Sequence, residues 1–247
     1  MDVNGKVVLI TGASEGIGAA TARLLAARGA KIAVAARSID KLNEVSGELG
    51  DSFAVRVDMT QHASITAMVD AVMENYGRID VLVNNAGRAL RARVADVNVA
   101  DFQSIVDLNV YGPLLAMQAV IPQMRKQGGG SIVNVSSNVS KMAIPTIGAY
   151  AATKYALNGL TLTARGELAD DGIIVTVMHP GQTATNFGKN ATVDAGMASA
   201  PPPSGGSNTS PDTPEDVAER ILEAIVNGPA EQYMNPEMEQ QFSMLGS

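Results

Sequence analysis

Tyr150 and Lys154 stand four residues apart in the run Tyr150-Ala151-Ala152-Thr153-Lys154. On a helix that spacing puts both side chains on one face, so an ammonium can lie beside a phenol and favour its ionised form. A free tyrosine, with a pKa of about 10, exchanges protons poorly near neutrality, and a neighbouring cation lowers that value toward a useful range. Such a pair can serve as the general acid in reduction of a ketone, or as the base in oxidation of an alcohol. A second chemical signal is Thr11-Gly12-Ala13-Ser14-Glu15-Gly16-Ile17-Gly18. Its three glycines let the backbone turn tightly and approach a pyrophosphate, whose charge is stabilised by free amides and a helix N-terminus. The spacing is G-x-x-x-G-x-G, not the commoner G-x-G-x-x-G, and its strand–turn–helix context is what gives it weight.

These groups need rigid elements behind them. Short β-branched runs recur at Val7–Thr11, Ile32–Ala36, Phe53–Asp58, Val81–Asn84, Ile132–Ser136 and Ile173–Val177. Each is almost continuously apolar, as strands buried on both faces of a parallel sheet should be. Between them Gly16–Arg28, Ser64–Tyr76, Phe102–Lys126 and Ala151–Asp170 are long enough for crossover helices. The alternation predicts one α/β domain over residues 1–247, a doubly wound sheet whose ligand sits beyond the carboxyl ends of its strands. Thr213-Pro214-Glu215-Asp216 reads as a helix start, with a cap, a first-turn proline and acids at the positive end of the dipole, the helix running to about Val226. Ala198–Pro211, by contrast, is a Pro/Gly/Ser-rich stretch too polar to pack, and reads as a mobile loop.

Composition narrows the function classes. Hydrophobic residues make up 46% of the chain and charged residues 17%, which excludes a disordered polyelectrolyte. The formal charge of −7 gives no reason to bind nucleic acid or anionic lipid. With two histidines, His62 and His179, and no cysteine, neither a disulfide nor a metal site is expected. His179 reads as a structural imidazole. No apolar run approaches the roughly 20 residues needed to span a bilayer, and the first strand begins too early to leave room for a signal segment. A cytoplasmic protein without membrane contact is the expectation.

Taken together the motifs resemble the short-chain dehydrogenase/reductase family over roughly residues 5 to 188. The glycine segment is similar to its TGxxxGxG, Asn84-Asn85-Ala86-Gly87 to its NNAG, and Tyr150 to Lys154 to its YxxxK. Asn109 matches its helix asparagine, and Ser137 stands thirteen residues before Tyr150, where the family has its catalytic serine. Pro180-Gly181 with Thr185 resembles the PGxxxT segment after the sixth strand, which also brings in Thr183. The resemblance implies a Rossmann-type sheet of order 3-2-1-4-5-6-7, with Asn109, Ser137, Tyr150 and Lys154 catalytic. Ser137 would hydrogen-bond the substrate oxygen as charge develops on it. Lys154 would also hold the nicotinamide ribose, and Asn109 would support a water-linked proton path. Ser136 adjoins Ser137, and strand alternation points the two in opposite directions, with the spacing favouring Ser137. Asp58, in Val57-Asp58-Met59-Thr60, resembles the family's adenine contact, and reads equally well as a helix N-cap.

The second strand ends Val34-Ala35-Ala36-Arg37-Ser38. An acid there would accept the adenosine ribose hydroxyls of NAD, whereas an arginine can pair with a 2′-phosphate. NADP(H) is therefore expected ahead of NAD(H), with Glu15 weighing against it as an acid where many relatives have a base. Arg88, Arg91 and Arg93 follow the NNAG segment and could attract an acidic substrate, or form a solvated loop. Residues from about 187 to 211 correspond to the family's substrate lid. The ending Glu231-Gln232-Tyr233-Met234-Asn235-Pro236 departs from the family's VDGG, which helps build a tetramer interface, so a homodimer is expected, with a homotetramer as the alternative. The leading function is an NADP(H)-dependent reductase of a ketone or 3-oxoacyl group. The alternatives are an NAD(P)-dependent alcohol dehydrogenase using the same residues, and a nucleotide-sensing protein without turnover.

Overall fold

The computed structural model describes residues 1–194 and 210–245. Its strands are β1 (Val7–Thr11), β2 (Lys31–Ala36), β3 (Ser52–Arg56), β4 (Val81–Asn84), β5 (Leu90–Arg91), β6 (Gly130–Val135), β7 (Ile173–His179), β8 (Thr192–Val193) and β9 (Glu231–Tyr233). Its α-helices are α1 (Gly16–Ala27), α2 (Ile39–Gly47), α3 (His62–Tyr76), α4 (Val99–Val106), α5 (Gly112–Gln127), α6 (Gly148–Glu167), α7 (Pro214–Asn227) and α8 (Pro236–Leu245).

The main sheet has seven parallel strands in the order β3-β2-β1-β4-β6-β7-β9. Counting only these strands, that is the 3-2-1-4-5-6-7 order anticipated above. Pleat alternation sends neighbouring residues of one strand into opposite layers. Val8 and Ile10 of β1 pack with Ala22 and Leu25 of α1 and with Ile221 and Ile225 of α7. Val7 and Leu9 pack with Met68 and Val72 of α3 and with Val120 and Met124 of α5. Burial on both faces explains why these strands are apolar throughout, each large side chain contributing about 1.5–3 kcal/mol when fully buried. Strand order reverses direction at β1, between β2 and β4, and the loops after these strands open a crevice there.

Several elements differ from the sequence-based expectations. The helix expected over Phe102–Lys126 begins earlier, at Val99, where the Asn98 side chain accepts from the amides of Ala100 and Asp101. A π turn at Asp107–Tyr111 then separates α4 from α5. By length and composition the stretch Val99–Gln127 is apolar enough to cross a membrane, contrary to the reading that no run approached that length. Here Ile105, Ala116, Met117, Val120 and Met124 are buried within the protein, so the apolar character is used as a core helix. Neither α2 nor the small parallel pair β5 and β8 was anticipated. The Thr213 start of α7 is a full capping box with Asp216, and Pro214 lies in its first turn. Most of the loop Ala198–Pro211 lies outside the described residues.

Candidate active site

Two loops lock together at the end of β1. The Thr11 hydroxyl accepts from the amides of Asn85 and Ala86, at 3.1 Å each. The Asn85 side chain donates to the carbonyls of Thr11 (3.0 Å) and Gly12 (3.1 Å). Gly12 and Gly16 sit at φ +67 and +57, a region that side chains rarely adopt. A Cβ on Gly12 would lie 2.8 Å from Ala86 Cα, and one on Gly18 2.7 Å from Asn85 Nδ2. Only glycine permits this closeness. Glu15 holds the N-cap position of α1 in an extended conformation without capping it. Its carboxylate pairs instead with Lys41 at 3.4 Å and accepts from Asn190 at 2.9 Å.

One cavity runs from this turn across the ends of β1, β4, β6 and β7. Its lining includes Gly12, Ser14, Glu15, Gly16, Ile17, Arg37, Ser38, Asp58, Met59, Asn85, Ala86 and Gly87. Farther along it is lined by Ser137, Tyr150, Lys154, Pro180, Gly181, Thr183 and Thr185. Gly18 and Asn109 do not line it: the first is packed under the Asn85 side chain, and the second is wholly buried. Asn109 Oδ1 accepts from Arg88 N at 3.0 Å, while Nδ2 donates to Arg88 O at 2.9 Å and to Thr153 Oγ1 at 3.1 Å. The π turn therefore serves to aim an amide at the backbone just past Gly87, tying that loop to α6.

Both serines border the cavity, and they differ in what their hydroxyls meet. Ser136 Oγ donates to Asn158 Oδ1 at 2.6 Å, inside the protein. Ser137 faces the cavity, and its hydrogen bond to Tyr150 favours the phenolate, against the larger effect of burial, which pushes the phenol up from its ordinary pKa. Lys154 is 4% exposed, its ammonium donates to Val135 O at 2.8 Å, and it lies 6.0 Å from the Tyr150 ring centroid. Burial lowers its pKa from 10.5 to about 8. The expectation that the lysine would pull the phenol down is thus corrected. In this geometry desolvation outweighs the hydrogen bond from Ser137, and the phenol stands above its ordinary pKa.

At the other end Arg37 and Ser38 leave β2, and Ser38 opens α2 without spending its side chain on a capping bond. Lys41, one turn into α2, lines the same wall and was missed; its spacing from Arg37 and Ser38 was the available signal. Asp58 is not the cap of α3, whose N-cap is Gln61. It accepts from the Thr60 amide (3.0 Å) and hydroxyl (2.8 Å), which lower its pKa. Beyond Tyr150, Arg88 and Arg91 line the cavity, whereas Arg93 is exposed and does not. Phe187 sits 5.9 Å from Tyr150, ring centroid to ring centroid. Of the residues expected to form a lid, 187–191 and Val193 line the cavity, and 195–209 lie outside the described residues. Among the described residues no cluster of side chains could hold a metal.

The short chain dehydrogenase family model matches residues 6–195. An uncharacterized oxidoreductase of Staphylococcus epidermidis is 36% identical, over 78% of this chain and 87% of its own length. Trans-4-hydroxycyclohexanecarboxylate dehydrogenase of Sinomonas cyclohexanicum is 39% identical, over 73% of each chain. Among solved structures, 3-ketoacyl-(acyl-carrier-protein) reductase of Brucella melitensis, complexed with NADH, superposes with a TM-score of 0.81 at 30% identity, over 90% of this chain and 91% of that one. The extent of the family match and these identities establish that the chain belongs to the short-chain dehydrogenase/reductase family, oxidoreductases of the CH–OH/C=O couple.

Proposed function

We propose that the protein is an NADP(H)-dependent reductase of ketones, with Tyr150 as proton donor. One observation carries this reading: Ser137, Tyr150 and Lys154 converge on a cavity whose far end combines a side-chain-free glycine cradle with Arg37, Ser38 and Lys41. The cradle suits a dinucleotide, because Gly12 and Gly16 leave backbone and the first turn of α1 open to a pyrophosphate, while Gly18 lets the Asn85 side chain pack beneath them. Bound there, the nicotinamide would supply or accept the hydride. Arg37 and Lys41 would hold the 2′-phosphate, and the pairing of Glu15 with Lys41 and Asn190 reduces the repulsion that this acid would otherwise exert. Asp58 and Met59 would border the adenine, Asn85, Ala86 and Gly87 the adenosine side, and Pro180, Gly181, Thr183 and Thr185 the nicotinamide side.

Ser137 would donate to the carbonyl oxygen while Tyr150 gives up its proton to it. Lys154 would stabilise the phenolate left behind and hold the ribose, and Asn109 would fix the Gly87–Arg88 backbone beside it. The presence of all four residues in one place argues against a sensor without turnover. Tyr111, Tyr155 and Leu162 leave apolar surface exposed around α5 and α6, which supports a homodimer across those helices. The two arginines beyond Tyr150 add a substrate preference: ketones bearing a carboxylate or another anionic group.

Replacing Tyr150 by Phe should cut kcat by about a hundredfold or more, with NADPH affinity changed less than about twofold on the same scale of effects. NADPH absorbance decay and a fluorescence titration measure the two. Native protein as efficient with NADH as with NADPH would overturn the cofactor assignment; Arg37→Asp should move the ratio of kcat/KM toward NADH by roughly 10–100-fold, the value of a charge-assisted hydrogen bond.

Charge neutralisation of Arg88 and Arg91 to Met should depress turnover of 4-oxocyclohexanecarboxylate relative to cyclohexanone. An unchanged ratio removes the anionic preference.

Lys154→Met should raise stability while abolishing turnover. With the folded pKa at about 8 and the ordinary lysine value at 10.5, the buried ammonium costs on the order of 3 kcal/mol below pH 8. That cost shrinks as pH rises and vanishes above 10.5. Part of the gain is offset by the Val135 carbonyl losing its donor. Denaturant midpoints of the native and Met forms should therefore differ most at pH 7 and converge toward 10.5.

A further inference from the structure

His179 and the strand Glu231–Tyr233 are the two features that the proposed chemistry leaves unused, and the structure joins them. His179 ends β7 and is fully buried. Its Nε2 lies 2.9 Å from Glu231 Oε1, and Tyr233 stacks on its ring at 4.7 Å with an interplanar angle of 11°. Glu231 is itself held on both oxygens, by Lys141 Nζ at 2.8 Å and by the Tyr233 hydroxyl at 3.0 Å. These partners keep it ionised: the hydrogen bond from His179 is the foremost cause that lowers its pKa to about 2. The carboxylate therefore demands a proton on Nε2 of the ring.

The other ring nitrogen faces the residue that matters. His179 Nδ1 is 3.3 Å from the carbonyl of Ser137 and 3.4 Å from Ser140 Oγ. Ser140 donates to that same Ser137 carbonyl and accepts from Asn158 Nδ2 at 2.9 Å. The carbonyl of Ser137 is thus held from below by the Ser140 hydroxyl, with the imidazole packed against both oxygens, while the Ser137 side chain points into the cavity. Lys141, which closes the short turn starting at Asn138, is tied to the same carboxylate. Glu231, His179, Ser140 and Lys141 form one clamp on the loop that carries Ser137.

We infer that His179 and Glu231 are positioning residues for the reaction: they fix the Ser137 loop through its backbone so that the hydroxyl meets the substrate oxygen. This rests on the proposed role of Ser137. A buried imidazole whose second nitrogen lies against two oxygens is otherwise costly in a core position that an apolar side chain could fill. The position of the serine hydroxyl controls catalysis steeply, since a misplacement of about 1 Å can cost a hundredfold.

The test is a double-mutant cycle with NADPH and 4-oxocyclohexanecarboxylate, or cyclohexanone if the acid is not turned over. Glu231→Gln keeps the size of the side chain but leaves one acceptor oxygen, so the contacts of Oε1 with His179 and Lys141 and that of Oε2 with Tyr233 are not all kept. It should lower kcat by about tenfold, with KM for NADPH unchanged, and His179→Phe, which preserves stacking on Tyr233, should lower it further. In a Ser137→Ala background Glu231→Gln should change kcat less than twofold, because the group it positions is gone. Should His179→Phe fail to fold, Glu231→Gln alone completes the cycle. A fall of the same size in both backgrounds, or no fall in either, overturns the positioning role and leaves Ser137 intact. If Ser137→Ala alone leaves kcat unchanged, the catalytic reading of Ser137 fails, and this inference with it.

Discussion

The constraint on which the rest depends is the burial of one ammonium. Lys154 is nearly inaccessible, and its charge faces the carbonyl of Val135, the last residue of β6. Desolvation makes such a charge expensive, and an apolar side chain of similar length would suit the core better. The fold keeps it through the stripe on α6 that also forms its packing face. Tyr150, Thr153, Lys154, Leu157, Asn158 and Thr161 are all buried, spaced at one helical turn. Chemistry and core therefore occupy one helical face, and the helix cannot rotate to relieve the lysine without exposing Leu157. The same burial raises the pKa of the phenol, so one physical cause, the penalty on charge, moves the two members of the pair in opposite directions.

That cause also marks what could be read from the sequence. The i, i+4 spacing placed tyrosine and lysine on one face, and the apolar runs marked six strands, because both depend on periodicity within a single element. The charge state of the phenol could not be read in this way. It depends on how much of the chain closes over Tyr150, including Phe187 from a distant loop. The same holds for the serine pair, where Ser136 is drawn inward by Asn158, more than twenty residues away in the chain. Asp58 illustrates the converse: a residue type that suits a helix cap is used instead to close a turn on Thr60, because α3 starts four residues later.

Net charge was an equally poor guide to local field. The chain is acidic overall, yet the wall formed by Arg37, Ser38 and Lys41 carries two cations, and Glu15 beside them is tied to Lys41 and Asn190. A bound anion responds to charges within about a Debye length, roughly 10 Å, far more than to the total. Glu15 looked unfavourable in the motif because the motif cannot show where its carboxylate turns. Two contacts from outside the loop decide that, one from α2 and one from the segment after β7.

The chain's ending shows how far such long-range decisions reach. β9 is short, but its register against β7 places Gln232 beside Met178 and Tyr233 beside His179. With this pairing Tyr233 stacks on the imidazole and Glu231 meets its Nε2. In sequence the segment appeared only as a departure from the family's glycine-rich ending, and its meaning was sought in assembly. In three dimensions it is an edge strand whose side chains turn inward, into contact with the loop that carries Ser137. An ending that loses glycine gains side chains, and the fold has room for them because the end of β7 presents a histidine where an apolar residue would offer no partner. The dependence runs mainly one way: without Glu231 the buried Nε2 of His179 would lose its partner, whereas Glu231 without His179 would keep Lys141 and Tyr233.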